Sequence, residues 1–127
     1  MKKKIPRKLT ISVVGMQHRM LPETRRIVAA RVKEIGPVEV ELIREPENPH
    51  DPNAIKVIID AGPYKNMHIG YVPRRVAEIL APKIDKQEVE WGMCLLMEVM
   101  PEDGEGEILL RLKTGVNFPV NKLISES

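Results

Sequence analysis

The side chains with the most chemistry to offer are crowded into one stretch, Arg44-Glu45-Pro46-Glu47-Asn48-Pro49-His50-Asp51-Pro52-Asn53-Ala54-Ile55. It carries the amides of Asn48 and Asn53, the carboxylate of Asp51 and the imidazole of His50, with Arg44 at its start and Lys56 just beyond it. Each proline fixes its own φ and removes a backbone donor. Each also pushes the residue before it, here Glu45, Asn48 and Asp51, toward extended geometry. A polar loop this stiff can hold donors and acceptors still for a ligand. A second group follows at Ile69-Gly70-Tyr71-Val72-Pro73-Arg74-Arg75. There an aromatic precedes two cations at a helix start, where free N–H groups favour an anion. A tyrosine beside two arginines suits a splayed base and its phosphate. The same residues also read as a strand tyrosine packed on the core followed by solvated helix arginines.

Other chemistries find less support. Cys94 stands alone, and His18, His50 and His68 lack zinc spacing. Cys94 reads as a buried structural thiol on a strand. Asp51 and Asp60 could share a divalent cation, although acidic strand residues are more often a solvated face. Ser12, Ser125 and Ser127 have no GxSxG context, and the glycines form neither GxGxxG nor GxxxxGK[ST]. No catalytic residue, metal or cofactor is therefore expected.

These groups need elements to position them. Thr10 to Val14 reads as a strand interrupted by Gly15. Pro22 suits a first helical turn, and Val28, Val32 and Ile35 recur at helical spacing over 23–35 before Gly36 stops the helix. Val38, Val40 and Leu42 alternate with Glu39 and Glu41, as do Ile55, Val57 and Ile59 with polar neighbours, so a strand is expected on each side of the proline loop. Residues 61–66 form a turn cluster, and 68–72 a short strand. Pro73 opens a second helix carrying Val76, Ala77 and Leu80, which Pro82 ends or kinks. The longest strand is expected over 88–100, with Val89, Trp91, Met93, Leu95, Met97 and Val99 on one face. A turn at 102–106 leads to a returning strand at 108–112. Six short strands and two helices point to a small curved sheet or barrel rather than a parallel βαβ stack.

The 127 residues suit one domain. Twenty Lys and Arg against 18 Asp and Glu leave a net charge of only +2, which does not announce a nucleic-acid binder. The sign is uneven: residues 1–8 read as a mobile basic arm, and Glu102, Asp103, Glu105 and Glu107 form an acidic stretch. One cysteine and no apolar run of membrane-spanning length suggest a soluble cytoplasmic protein.

Three pieces in order give a more specific signal. They are Val13-Val14-Gly15, then Val40-Glu41-Leu42 with Arg44-Glu45-Pro46 and Asn48-Pro49-His50-Asp51-Pro52-Asn53-Ala54-Ile55-Lys56-Val57, then Ile69-Gly70-Tyr71-Val72-Pro73-Arg74 and Ala77. Together they resemble the HIRAN domain family, in the form of its small free-standing bacterial members. The resemblance implies a six-stranded, OB-like β-barrel with two helices over residues 9–114, between the basic arm and a tail at 115–127. It also implies a non-catalytic module that binds single-stranded DNA and recognises a free 3′-hydroxyl end in DNA repair or replication-fork processing. A helicase, translocase or nuclease would be its partner. By motif, Asp51 matches the family's ligand for the 3′-hydroxyl, Asn48 the asparagine supporting the terminal nucleotide, and Arg74 the phosphate contact. The family's arginine and tyrosines after the first-strand Val-Gly are here Gln17, His18 and Arg19, and its loop aromatic is His50. Base stacking is then expected to be weaker or to pass to Tyr71. The expected nucleic-acid-binding residues are thus Gln17, His18, Arg44, Asn48, His50, Asp51, Asn53, Lys56, Tyr71, Arg74 and Arg75. The alternatives are a protein-docking module that binds no DNA, favoured by the small net charge, and a metal-dependent phosphoesterase acting on nucleic-acid ends. The oligomeric state is not legible.

Overall fold

Alternation of apolar and polar residues produces strands here, and the strands assemble into one antiparallel sheet. The computed structural model describes residues 7–61, 64–88 and 93–112. In chain order the elements are β1 (Arg7–Val13), α1 (Met16–Arg19), α2 (Pro22–Ile35), β2 (Val38–Arg44), β3 (Ile55–Ala61), β4 (Tyr64–Tyr71), α3 (Arg74–Asp85), β5 (Leu95–Met100) and β6 (Glu105–Leu112). The spatial order is β1-β6-β5-β2-β3-β4. The two outer strands curl toward each other and meet at one isolated antiparallel bridge, Val14 with Tyr71. The expected mainly β, OB-like architecture is therefore present, as a sheet whose edges touch at a single residue pair. Its inward residues form one apolar cluster that includes Ile11, Val13, Ile55, Val57, Ile59, Ile69, Leu96, Ile108 and Leu110, joined by Met16 and by Val76 and Leu80 of α3. Fully burying one such side chain contributes about 1.5–3 kcal/mol.

Several expectations are corrected. The described residues hold three helices rather than two, because Met16–Arg19 makes a four-residue helix after Gly15, which sits at φ 80°. β1 takes in Arg7 and Lys8, which the expected arm over residues 1–8 leaves outside the sheet. β4 begins at Tyr64, inside the expected turn cluster. Pro82 neither ends α3 nor stops it short of Asp85. The proline is exposed, and the one backbone donor it removes would have faced Glu78, also an exposed residue. On α2, Val28 and Val32 are buried but Ile35 is 71% exposed.

The largest correction concerns β5. Met93 and Met97 are exposed, whereas Cys94 and Leu96 are buried. Leu96 pairs with Ile108 but Glu98 pairs with Glu107, so Met97 is an extra residue on β5. This bulge returns Val99 to the inner face three residues after Leu96. A strict alternation over 88–100 therefore puts Met93 and Met97 on the wrong face. Val89 and Trp91 lie outside the described residues, as do residues 1–6 and the 115–127 tail. Burial pushes the Cys94 thiol above the ordinary thiol range, which suits a structural role. No helix among the described residues is long and apolar enough to cross a membrane.

A second bulge shapes the surface near the proline loop. Val57 pairs with Gly70 but Ile58 pairs with His68, which leaves Ile69 as the extra residue on β4. Ile69 and Gly70 both turn inward, while His68 and Tyr71 both face out, three residues apart instead of two. Gly70 is required at this point. A Cβ there would stand 2.6 Å from the Val14 carbonyl oxygen and 2.8 Å from Val13 Cγ1. The first neighbour is backbone and cannot rotate away. Gly70→Ala is therefore expected to destabilise the protein by about 2 kcal/mol or more, measured by urea unfolding. Unchanged stability would show that the two sheet edges do not depend on this contact.

Candidate nucleic-acid interface

Two Asx-Pro steps build the loop between β2 and β3. Asn48 Oδ1 accepts from the backbone N–H groups of His50 (2.8 Å) and Asp51 (3.1 Å). Asp51 Oδ1 accepts from Asn53 N at 2.9 Å. In each case the side-chain oxygen reaches past a proline that has no N–H and takes the next one available. Glu45 N donates to Ala54 O (2.9 Å) and closes the base of the loop. Turn bonds from Asn48 N to Glu45 O and from Ala54 N to Asp51 O, both 3.0 Å, complete it. The stiffness that the prolines predict is therefore built from side-chain caps as well as from fixed φ angles.

Arg44 has a different place from the one expected. Its Nε and Nη2 donate to the two carboxylate oxygens of Asp85, both at 3.0 Å. Its Nη1 donates to Ala54 O at 2.8 Å, and Nη2 also to Pro52 O at 3.0 Å. The guanidinium thus clamps the loop to the end of α3, and its side chain is only 13% exposed. The hydrogen bonds and charge from Arg44 hold the Asp85 carboxyl below its ordinary value.

Glu45, which sequence reasoning gave no role, is the hub. Its Oε1 accepts from Tyr71 Oη at 2.8 Å and from Asn48 Nδ2 at 3.0 Å. Its Oε2 lies 3.8 Å from Lys56 Nζ. Burial pushes the Glu45 carboxyl up, but the bonds from Asn48 and Tyr71 and the charge of Lys56 outweigh it, and the net shift is down. Burial, the bond to Glu45 and that residue's charge push the Tyr71 phenol up, so it stays a donor. His68 stacks edge-on against Tyr71, with ring centres 4.8 Å apart. Its Nε2 donates to Gly70 O at 2.9 Å. Burial and the nearby charge of Arg19 hold it below the ordinary histidine value. Tyr71 is therefore not a core residue but a half-buried outer-face tyrosine.

Two depressions flank this network and share Asn48, His50 and Tyr71 in their walls. The smaller, roughly 290 Å³, is completed by Val14, Asp51, Ala54, Val72 and Arg74. The larger, roughly 590 Å³, is completed by Arg44, Glu45, Glu47 and the prolines 46 and 49. Asn48, His50, Asp51, Tyr71 and Arg74 are thus brought together. Asn53 supports Asp51 through its backbone, and Lys56 supports Glu45. Gln17, His18 and Arg75 line neither depression. Gln17 lies against Gly104 at the turn before β6. Glu45, His68 and Arg19 were missed: Glu45 meets a tyrosine on another strand, His68 meets Tyr71 across the bulge of their own strand, and Arg19 acts on His68 only through its charge, none of which spacing reveals. Asp60 pairs with Lys65 (3.4 Å) five residues along β3 from Ile55, about 16 Å at the strand rise. It cannot share a cation with Asp51. Among the described residues no group of three or more His, Cys, Asp or Glu comes together.

Comparison with known proteins adds four findings. A family model described as "HIRAN domain" matches residues 7–121. The Fanconi-associated nuclease 1 homolog of Oryza sativa subsp. japonica is 36% identical over 74 residues, which is 58% of this chain but only 7% of that protein. The crystal structure of the HIRAN domain of human HLTF superposes with a TM-score of 0.58 at 19% identity, covering 85% of this chain and 76% of that one. A Lactobacillus plantarum protein superposes with a TM-score of 0.57 at 24% identity, over 85% of this chain and 98% of that one. At these identities the two structures speak to the fold.

The contacts of Arg44 differ in weight. Exposed ion pairs contribute about 0–1 kcal/mol, whereas a part-buried hydrogen bond from a charged donor, such as that to Ala54 O, contributes about 1.5–3 kcal/mol. Arg44→Ala should therefore cost about 2 kcal/mol of unfolding free energy, and Asp85→Ala clearly less, by chemical denaturation. Equal losses would place the weight on the ion pair instead. The lowered Glu45 carboxyl gives a pH signature. The folded state holds that proton less tightly than the unfolded chain, so its contribution is complete above about pH 4.3. It is lost as pH falls through the lower native value. Glu45→Gln should flatten this part of the acid limb in a series of thermal melts across pH.

Proposed function

We propose that this chain, which belongs to the HIRAN domain family of DNA-binding domains, takes the free 3′-hydroxyl end of single-stranded DNA between its proline loop and the start of α3. The observation that carries this reading is the smaller depression, where the Asp51 carboxylate and the exposed Arg74 face the same space as Asn48, His50 and Tyr71. Asn53 N donates to Asp51 Oδ1, and in this reading the second oxygen accepts from a terminal hydroxyl. A 3′-phosphate or a continuing phosphodiester would meet that carboxylate with like charge. Arg74 opens α3, so a backbone phosphate there would find a cation beside helix N–H groups. His50 and Tyr71 offer ring faces to the last bases.

The module recognises an end and does not cut it. The stretch shared with the rice protein is a small fraction of a polypeptide named as a nuclease. This supports a recognition role in DNA repair, with strand cleavage or translocation supplied by a separate domain or partner.

Fluorescence anisotropy with short single strands ending in 3′-hydroxyl or 3′-phosphate tests the proposal. The hydroxyl end should bind more tightly, and Asp51→Ala should remove most of that preference, on the order of tenfold or more for one charge-assisted hydrogen bond. Arg74→Ala should weaken both strands alike and lower the salt dependence by about one counterion. Equal affinity of the unaltered protein for the two ends would sink end recognition. Absence of any binding at low salt would favour a protein-docking module.

A further inference from the structure

We infer that Glu45 is a positioning residue of this site, holding the loop and Tyr71 in the one arrangement that recognises a strand end. The inference rests on the end-binding reading above and assigns within it a residue that touches neither hydroxyl nor phosphate. The loop and β4 approach each other at the rim of both depressions, and Glu45 Oε1 joins them. It accepts from Asn48 Nδ2 on the loop (3.0 Å) and from Tyr71 Oη on β4 (2.8 Å).

The first bond, together with the two N–H groups on Oδ1, holds the way the Asn48 amide points. With Nδ2 committed to Glu45, Oδ1 is turned to the backbone N–H groups of His50 and Asp51. A flipped amide would oppose donor to donor on the His50 and Asp51 side and acceptor to carboxylate on the Glu45 side. Glu45 therefore acts on the backbone at the two residues that carry the stacking ring and the end-reading carboxylate. The second bond holds the Tyr71 ring, which the β4 bulge has already turned outward beside His68. Lys56 Nζ, 3.8 Å from Oε2, balances the charge that makes both bonds strong. Substitution separates these roles. Glutamine keeps an acceptor for Tyr71 and Asn48 but sets an amide near Lys56. Alanine removes the acceptor altogether, and Tyr71→Phe removes one donor while keeping the ring.

The measurement is the ratio of affinities for 3′-hydroxyl and 3′-phosphate single strands, with full-length protein and a thermal melt of each variant. Glu45→Ala should lower the ratio about tenfold, the effect of one charge-assisted hydrogen bond network, and Glu45→Gln should lower it less. Tyr71→Phe should lower it modestly, and adding Tyr71→Phe to Glu45→Ala should lower it no further, since both act through the same bond. In a Tyr64→Phe background the phenol absorbance reports Tyr71 alone, and Glu45→Gln should let it ionise at lower pH. A folded Glu45→Ala protein that keeps the full ratio overturns the inference and leaves end recognition standing. If Glu45→Ala does not fold, full additivity of Glu45→Gln with Tyr71→Phe overturns it. A ratio of one in the unaltered protein overturns both readings.

Discussion

The pairing of Val14 with Tyr71 is the contact on which the rest of the architecture turns. It consists of two reciprocal backbone hydrogen bonds, each 2.9 Å, contributing about 1 kcal/mol apiece. Its importance is geometric rather than energetic. It is where the outer strands of a six-stranded sheet reach each other, and it forms only because Gly70 has no Cβ to meet the Val14 carbonyl. The β4 bulge beside it sends Ile69 into the core and Tyr71 outward. The meeting of the two sheet edges and the presentation of the aromatic are thus one event in the chain.

From Tyr71 the organisation passes to charge. The carboxylate of Glu45 collects a phenol, an amide and an ammonium group from three different elements. Its ionised form is stabilised even though burial opposes it. The cations around the loop then divide their work. Arg44 is committed to Asp85 and to loop carbonyls, Lys56 balances Glu45, and Arg74 is exposed beside Asp51. With a net charge of only +2, the protein as a whole supplies little steering field. Any anion selectivity must come from where individual charges are held.

The loop is assembled so that its polar groups serve two purposes. Asn48 and Asp51 each use one side-chain oxygen to cap the backbone around a proline. The same residues line the depression in which a ligand would sit. A change in a ligand-facing side chain here therefore also disturbs the backbone that carries it.

Much of this was legible in the residues themselves. Period-two alternation marks β2 and β3, because a half-buried strand needs it. The prolines, Asn48 and Asp51 mark a stiff loop, because φ restriction and Asx capping are local, and the ordered motif pieces mark the family. The bulges at Met97 and Ile69 were not legible, since an extra residue is tolerated only where a partner strand allows it. That is why the inner face of β5 was read with the wrong parity at Met93 and Met97. Nor could spacing show that Arg44 would be spent on Asp85, 41 residues on, or that Glu45 would meet Tyr71, 26 residues on. The sequence by itself determined the elements and the chemistry available in the loop, because those depend on neighbours along the chain. Which charges stay open to a ligand and which become clamps was decided only by the tertiary structure, because curling the sheet brings α3 and β4 against the loop.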